Sequence, residues 1–490
     1  MRELLDSSSL RRLNLIECLI QNKDWRKIEK IAEQLSCSES TVKSDINYFR
    51  LSFSNELDFE TSKQNGVRLI VQDTFYMDSF YQQIMHECLN VQFINLLFSE
   101  SCHTLEEYAD ALYTSTSSIK RSIEQVRAVL KKYNLDIQQK PIRISGSEKH
   151  ILFFYGVLFW EEYGSSFLKL DYAYKKEAYE LVKAFKEKMD LSLSVTLISK
   201  ITLWLILYFE RLSQGYHVEE NFQTMIPISK RIKDFMFEST YHLPFEITIA
   251  DVTMISFFLE SRYLNFKQEA IQTNPELLGV YNDIEFFLEA LSKEASVFLV
   301  NKQELKNRLF SQYIYKLEFK GLNYSLVGNN KLSVLNNEGT YDCFLGTAQR
   351  LLHKSKDTKW GRVVLSDTTD FFYILISTWE NLTSEILKKR RRINTLILSQ
   401  FGLYHERYLK EIIDVRFPYT FKSFLLTEEN FPEDGIELIV TDHEVAEIKL
   451  QLDEDIPVIG VTYSPNNRNW SQLKDYIEMI FAQKRLDSGE

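Results

Sequence analysis

The sequence of 490 residues is too long for a single hydrophobic core, and its composition is that of a folded, mainly helical protein. Hydrophobic residues make up 44% of the chain, glycine and proline are scarce at 15 and 8 residues, and the net charge is −11. These values argue against a disordered or solenoid protein and, with the length, predict three to five globular domains.

The cysteines and the start of the chain predict an ordinary cytoplasmic protein. Cys18, Cys37, Cys88, Cys102 and Cys343 show no C-x-x-C spacing, which argues against a zinc site or a disulfide framework and favours buried thiols. No apolar run reaches the roughly 18 to 20 residues that span a bilayer, and the first residues lack a signal-peptide pattern. We therefore expect a cytoplasmic protein with no metal, no cofactor and no membrane partner.

The first predicted element is a helix at residues 10–20, which has the apolar periodicity of a helix packed on a core. The next stretch, residues 32–50, returns 77 positions later as residues 109–127, with seven of nineteen positions identical. Each copy reads as a short apolar helix, a polar turn and a longer helix that begins at a serine or threonine able to cap its first turn. A helix at about 91–98 precedes the second copy in the same way, so the repeat spans a whole domain.

The longer helix of each copy has one apolar and one polar face, as a DNA recognition helix has. Its apolar residues recur at steps of three and four: Val42, Ile46 and Phe49, and Ile119, Ile123, Val126 and Leu130. Short hydroxyls at the N-terminal end suit the major groove, while cations and backbone N–H groups meet phosphates. We interpret both copies as helix-turn-helix units, with DNA-facing residues Ser40, Thr41, Lys43, Ser44, Asn47 and Arg50, and Ser117, Ser118, Lys120, Arg121, Glu124 and Arg127.

A short alternating segment follows each unit, at residues 63–70 and 140–145, and resembles the β-wing of a winged helix. Arg68 and Arg143 lie between apolar residues there and are the predicted wing contacts. Residues 1–150 carry 19 Lys and Arg against 21 Asp and Glu, a net charge of −2, so DNA binding has to depend on a local basic face. One serine-capped amphipathic helix could occur in any helical protein, but two copies with wings favour DNA binding.

Residues 149–382 predict long helices rich in Phe, Tyr and Leu, whose aromatic stripes are typical of a core and not of a cofactor site. A weak duplication within them predicts two all-helical domains that meet near residues 273–278. The paired segments are 197–211 with 305–319, and 251–260 with 370–379.

A basic run at residues 388–392 ends the helical region, and we interpret it as a solvated linker in preference to a DNA contact. Strands then alternate with helices, which predicts a small α/β domain with a parallel sheet. The predicted strands are 393–398, 436–440 and 457–462, and the predicted helices are 404–415 and 470–481.

This order of parts resembles the Mga/AtxA family of virulence regulators from Gram-positive bacteria, most specifically in Ser38-Glu-Ser-Thr-Val-Lys43 and Ser115-Thr-Ser-Ser-Ile-Lys120. The resemblance implies a mainly α, multidomain fold: two winged helix-turn-helix domains, two helical domains like the phosphotransferase-system regulation domains (PRD), and a C-terminal α/β domain like the EIIB component of sugar transporters. The expected domains are residues 1–72, 73–148, 149–275, 276–388 and 389–490. It further implies a transcriptional activator that forms a homodimer or higher oligomer, with phosphocarrier proteins of the sugar phosphotransferase system and RNA polymerase as partners.

The resemblance also implies phosphorylation of histidines in the regulation domains, and here the sequence departs from the family. The corresponding positions hold Trp204, Phe258, Gln312 and Ser377, none of which can carry a phosphohistidine. The candidate phosphorylation sites nearby are His217, His242 and His353. The EIIB-like loop at residues 398–402 lacks the nucleophilic cysteine of such enzymes, with His405 the only substitute, so we expect a domain that serves interaction.

Two other functions have to be weighed against a DNA-binding, non-enzymatic regulator of promoters. A phosphotransfer protein of the sugar relay is disfavoured by the missing cysteine and by the lack of a Gly-rich phosphate loop or a nucleophile motif. A protein-binding adaptor, in which the helix-turn-helix units only pack, is disfavoured by the paired wings. We therefore predict a cytoplasmic regulator that binds double-stranded DNA.

Overall fold

The computed structural model describes residues 1–20, 24–226, 228–240, 242–263, 271–272, 274–319, 321, 340–366, 368–389, 391–426, 435–444 and 456–488. Over these residues the chain is mainly helical and multidomain, as predicted. It divides into two compact units, one formed by Met1–Asn282 with Asn307–Lys331 and the other by Asp283–Lys306 with Leu332–Glu490.

The first unit begins with a winged helix-turn-helix domain. Its elements are α1 (Ser7–Ile20), α2 (Ile28–Gln34), α3 (Glu39–Ser52), β1 (Leu57–Ser62) and β2 (Gly66–Val71). The two strands pair antiparallel, with Leu57 opposite Val71. The ring of Phe49 stacks on that of Phe59 with centroids 6.0 Å apart, so the third helix and the wing share one core.

The second copy repeats this arrangement with two helices in front of it. The elements are α4 (Met77–Glu87), α5 (Leu89–Ser99), α6 (Leu105–Ala111), α7 (Thr116–Leu130), β3 (Asp136–Gln139) and β4 (Ile142–Ser145). The strands are again antiparallel, with Asp136 opposite Ser145. Helix α5 contains the predicted helix at 91–98, whereas α4 was not predicted from the sequence.

Long helices make up the rest of the first unit. They are α8 (Glu148–Tyr163), α9 (Lys175–Met189), α10 (Val195–Ser213), α11 (Lys230–Thr240) and α12 (Ile249–Tyr263), followed by α13 (Pro275–Glu294) and α14 (Lys302–Glu318), which each contribute residues to both units. The four segments of the weak duplication are helical or end within a residue of a helix, as their pattern predicts. The predicted boundary at 273–278 lies at the start of α13, while the compact units separate inside that helix, after Asn282.

The second unit continues through short helices into a four-stranded sheet. Its elements are α15 (Asp342–Lys354), α16 (Lys359–Leu365), α17 (Thr368–Thr378), α18 (Leu382–Lys389), β5 (Ile393–Leu398), α19 (Leu403–Arg416), β6 (Phe421–Phe424), β7 (Leu438–Thr441), β8 (Val458–Gly460) and α20 (Asn467–Ser488). The strand order is β6-β5-β7-β8 and all pairs are parallel, which confirms the predicted small parallel sheet. Strand β6 was missed because four residues with a lysine give too short a pattern.

The prediction of buried thiols is correct for three of the five cysteines. Cys18, Cys88 and Cys102 are buried, Cys37 is half-buried and Cys343 is exposed, so the prediction was wrong for the last. All five are free thiols. In the part of the chain that the structure describes, no helix is both long and apolar enough to cross a bilayer, and no cluster of three or more His, Cys, Asp or Glu side chains could hold a metal ion.

Candidate nucleic-acid interface

The first recognition helix, α3, begins at a side-chain cap that follows a tight turn. Ser36 takes a positive φ of 51°, and the N–H of Cys37 donates to the carbonyl oxygen of Ala32 at 2.9 Å. The Ser38 hydroxyl then accepts from the N–H of Thr41 at 3.1 Å. The remaining N–H groups of this first turn carry the positive end of the helix dipole, which suits a phosphate.

The second copy builds the same turn from different residues. Tyr113 takes a φ of 50°, the N–H of Thr114 donates to Ala109 at 2.9 Å, and the Ser115 hydroxyl accepts from the N–H of Ser118 at 3.1 Å. The helix before the turn begins with a capping box between Thr104 and Glu107. Each of the three turn features lies 77 positions after its counterpart, so the repeat conserves geometry and not only residue type.

The two faces of the recognition helices lie as predicted. All seven predicted apolar residues are buried, namely Val42, Ile46 and Phe49 in α3, and Ile119, Ile123, Val126 and Leu130 in α7. The exposed predicted residues are Ser40, Lys43, Ser44, Asn47, Arg50, Ser117, Lys120, Arg121 and Glu124, while Thr41, Ser118 and Arg127 are half-buried. The hydroxyls of Thr41 and Ser118 lie 2.8 and 3.0 Å from the capping hydroxyls, so they belong to the caps.

Arg50 and Arg127, which are equivalent in the two copies, bind the wings of their own domains. Nη2 of Arg50 donates to the carbonyl oxygen of Phe59 in β1 at 2.6 Å. Nε of Arg127 donates to Asp136 at 2.8 Å, and its Nη2 donates to the carbonyl oxygen of Ile137 in β3 at 3.3 Å. These contacts fix each wing to its recognition helix, which is a bracing role that the sequence analysis did not foresee.

The wing arginines are likewise held across their hairpins. Nη2 of Arg68 lies 2.6 Å from Glu60, and its guanidinium lies over the ring of Trp25 at 5.1 Å. Nε of Arg143 donates to Gln138 at 3.1 Å. The exposed cations nearest the hairpin tips are Lys63 and Lys140, two residues that the sequence analysis did not select although both stand in the turns it identified.

The two recognition helices differ in how their cations are paired. Nζ of Lys43 lies 3.2 Å from Glu39, one turn earlier on the exposed face of α3. Lys120 and Arg121 are exposed and form no ion pair with any residue that the structure describes. The second copy therefore presents two available positive charges where the first presents one lysine next to a glutamate.

A buried carboxylate on α3 fixes the first recognition helix to α1. Asp45 is 2% exposed and accepts from Nε of Arg11 at 2.7 Å and from Nε of Arg12 at 3.1 Å. Sequence reasoning missed this contact, although an acidic residue between Val42 and Ile46 on an apolar face was a signal of it. The equivalent position in the second copy is the buried Ser122, so the device is present in one copy only.

The positions that the sequence analysis aligned with regulatory histidines, and the histidines near them, lie in different surroundings. Trp204 and Phe258 stack with ring centroids 3.7 Å apart, so these two positions converge as a buried aromatic pair. Nδ1 of the half-buried His217 lies 2.8 Å from the carboxylate of Asp251. Burial would raise the pKa of Asp251, but hydrogen bonds from His217, Thr248 and Val218 lower it overall. His242 and His353 are exposed.

The carboxyl ends of β5 and β7 bring together three polar residues of the second unit. The hydroxyl of Ser399 lies 2.6 Å from Nδ1 of His405 and 2.8 Å from Asp442, and the N–H of Gln400 donates to Asp442 at 2.9 Å. Nε2 of His405 lies 2.8 Å from the carbonyl oxygen of Tyr463. Both ring nitrogens of this buried histidine are thus engaged, an arrangement that leaves neither of them open to a substrate. The N–H of Gln400 in the loop after β5 is therefore satisfied by Asp442.

Comparison with known proteins matches both N-terminal domains to one family. Residues 7–65 match the helix-turn-helix domain of the M protein trans-acting positive regulator (MGA), and residues 73–159 match the Mga helix-turn-helix domain. A Streptococcus pneumoniae protein named as a trans-acting regulator is 21% identical over 454 residues, 89% of this chain and 91% of its own length.

Two regulators of Bacillus anthracis are also similar. The capsule synthesis positive regulator AcpB is 22% identical over 324 residues, 63% of this chain and 67% of its own length. The anthrax toxin expression trans-acting positive regulator is 18% identical over 484 residues, 96% of this chain and 99% of its own length. The tandem Mga-type domains and the similarity that runs along almost the whole chain show that this protein belongs to the Mga/AtxA family of transcriptional regulators.

Proposed function

We propose that this regulator binds promoter DNA through the N-terminal ends of α3 and α7 and acts as a positive regulator of transcription. The observation that carries the proposal is the repetition of one capped recognition helix, with its polar face exposed and with Lys120 and Arg121 available on the second copy. The names of the similar regulators, which describe positive regulation, support the direction of control.

The exposed side chains divide into groups that read bases and groups that bind phosphates. Asn47 can form two hydrogen bonds with adenine, whereas single hydroxyls such as Ser117 discriminate weakly. Lys120 and Arg121 suit phosphate contacts, which add no sequence preference. Because few of these side chains can form specific contacts with base edges, we propose that sequence preference depends largely on the deformability of the DNA.

Fluorescence anisotropy of the full chain with a long and a short duplex, at several salt concentrations, tests DNA binding. A steep fall of affinity with salt and tighter binding to the long duplex would support two DNA-binding heads. No binding to either duplex at low salt would refute the proposal. Fusion of the bound promoter to a reporter gene then gives the sign of regulation.

We further propose that the protein forms a homodimer through the exposed face of α19. Tyr404, Tyr408 and Val415 form an apolar stripe along this helix and are 85%, 43% and 76% exposed. Arg407 and Glu411 flank the stripe, and an antiparallel pairing of two α19 helices would set these opposite charges against each other. An exposed apolar patch of this kind is typical of an interaction surface.

Analytical ultracentrifugation of Val415→Glu tests this interface. In a two-fold interface the substitution buries a charge on each of the two partners. We therefore expect the variant to sediment as a monomer at concentrations where the wild type is a dimer. Val195→Glu is the matched control, because Val195 is 81% exposed in another part of the chain. An unchanged dimer in Val415→Glu would place the interface elsewhere.

For control by the sugar phosphotransferase system we propose His217 as the phosphorylated residue, ahead of His242 and His353. Its Nδ1 is bound by Asp251, which leaves Nε2 as the nucleophile. Nε2 would form an N–P bond to the phosphoryl group while the N–P bond of the phosphocarrier's histidine breaks.

Intact-mass analysis after incubation with the phosphocarrier and its phosphoryl donor tests this site. We expect one phosphoryl group on the wild type and none on His217→Ala, with His353→Ala as the exposed control. Phosphorylation that survives His217→Ala would refute the assignment. The loop after β5 has no cysteine, and the N–H of Gln400 in this loop donates to Asp442, which supports a C-terminal domain that does not itself transfer phosphate.

A further inference from the structure

A single buried arginine holds both ends of the segment that carries the second recognition helix. This segment, residues 101–147, contains α6, α7 and the wing, and it lies between Glu100 at the end of α5 and Glu148 at the start of α8. Nε and Nη2 of Arg211 in α10 donate to the two oxygens of Glu148 at 2.6 and 2.9 Å. Nη1 of Arg211 lies 3.3 Å from Glu100. The helical part of the unit therefore fixes the segment through both of its ends.

Tyr216 completes this cluster from the loop that follows α10. Its hydroxyl donates to Glu100 at 2.7 Å, its ring lies 3.8 Å from the guanidinium of Arg211, and its N–H donates to the carbonyl oxygen of Arg211 at 3.0 Å. Arg211 is only 1% exposed. Buried ion pairs add little net stability over apolar residues of the same volume, because desolvation offsets the attraction. Such a cluster is better explained as a device that fixes position.

The next residue of the same loop is His217. Its Nδ1 lies 2.8 Å from Oδ2 of Asp251, and the N–H of Val218 donates to Oδ1 of the same carboxylate at 3.0 Å. Asp251 is fully buried and also accepts from the hydroxyl of Tyr208 at 2.8 Å. Residues 214–218 are thus attached to Asp251 on one side and to Arg211 and Glu100 on the other.

We propose that residues 214–218 couple the state of His217 to the position of the second recognition helix, with Tyr216 and Arg211 as positioning residues. When the His217 contact is lost, the loop is held to Asp251 by the N–H of Val218, and the adjacent Tyr216 then holds Glu100 less firmly. The role of this coupling in controlling DNA affinity rests on the proposed function, whereas the coupling itself does not require DNA.

Hydrogen–deuterium exchange of the full chain in the absence of DNA tests the coupling. Tyr216→Phe removes only the hydroxyl that binds Glu100, and we expect exchange at the end of α5 and in α6 to rise roughly fivefold, the effect of one lost hydrogen bond. His217→Gln should raise exchange in the same segments, but should have no further effect when combined with Tyr216→Phe. Tyr179→Phe is the matched control, since Tyr179 is 49% exposed and its hydroxyl has no hydrogen-bond partner among the described residues.

Additive effects of His217→Gln and Tyr216→Phe, or unchanged exchange at α5 and α6 in both, would overturn the coupling. If Tyr216→Phe does not fold, Glu100→Ala serves instead, because it removes the acceptor of the Tyr216 hydroxyl together with the charge that binds Arg211, and it should likewise raise exchange in α6. A protein that shows the exchange coupling but binds no duplex would refute the proposed function and leave this inference intact.

Discussion

Replacing Lys120 and Arg121 together by alanine should reduce the salt dependence of DNA binding more than any change of the first recognition helix. Both side chains are exposed, and neither forms an ion pair with a described residue, so their charge is available to phosphates. Each phosphate contact contributes about 0.9 to the slope of log affinity against log salt, so losing two lowers the slope by about 1.8. Between about 50 and 200 mM salt this corresponds to roughly a twelvefold smaller loss of affinity than in the wild type.

The matched control is Lys43→Ala, which occupies the same place in the first copy. Nζ of Lys43 is shared with Glu39 at 3.2 Å, and Ser44 stands where the second copy has Arg121. We therefore expect a slope change below about 0.9 for this variant. Anisotropy titrations of the three proteins at four or more salt concentrations give the slopes, and chemical denaturation checks that folding is intact. An unchanged slope for the double variant, with intact folding, would show that α7 does not face the DNA.

Three further predictions concern side chains that hold neighbouring elements together, namely Arg127, Asp45 and Asp251. Arg127→Ala should release the second wing from α7 at a cost of about 1–2 kcal/mol, seen as faster hydrogen exchange in β3 and β4 with α3 unaffected. Asp45→Asn should destabilise the first winged helix by roughly 3 kcal/mol, because two arginines lose their buried partner, and an unchanged denaturation midpoint would contradict the bracing role. Asp251→Asn should lower stability at neutral pH. Because the pKa of Asp251 is depressed in the folded state, its stabilisation is present above the unfolded value of about 3.9 and is lost as pH falls through the folded pKa, so the difference between variant and wild type should shrink in acid.

The recognition helices could be predicted in detail because their determinants are local. A cap such as Ser38 or Ser115 acts on a backbone group three residues away, and the apolar face follows from a period of 3.6 residues. The repeat strengthened the helix-turn-helix prediction, since two copies seldom share the same turn by chance. The family was recognisable for the same reason, as both segments lie within the residues that match the Mga-type domains.

The charged side chains were harder to place than the apolar ones. A cation on the polar face of a helix could face DNA or bind its own domain, and the pattern is identical in both cases. Lys120 is available, while Arg127, seven positions later, binds the backbone of its wing. Nothing in the local sequence distinguishes them, because the hairpin that Arg127 contacts is placed by the fold of the domain.

The sequence by itself determined the helix caps, the buried faces and the wings, which depend on neighbours within a few residues, and its alternation of strands and helices predicted the parallel sheet. Only the tertiary structure decided which distant groups meet: Asp45 with Arg11, Arg211 with Glu100 and Glu148, and Asp442 with the loop after β5. Periodicity tells which face of an element is buried and not what it packs against. The partners of buried charges therefore have to be read from the folded chain.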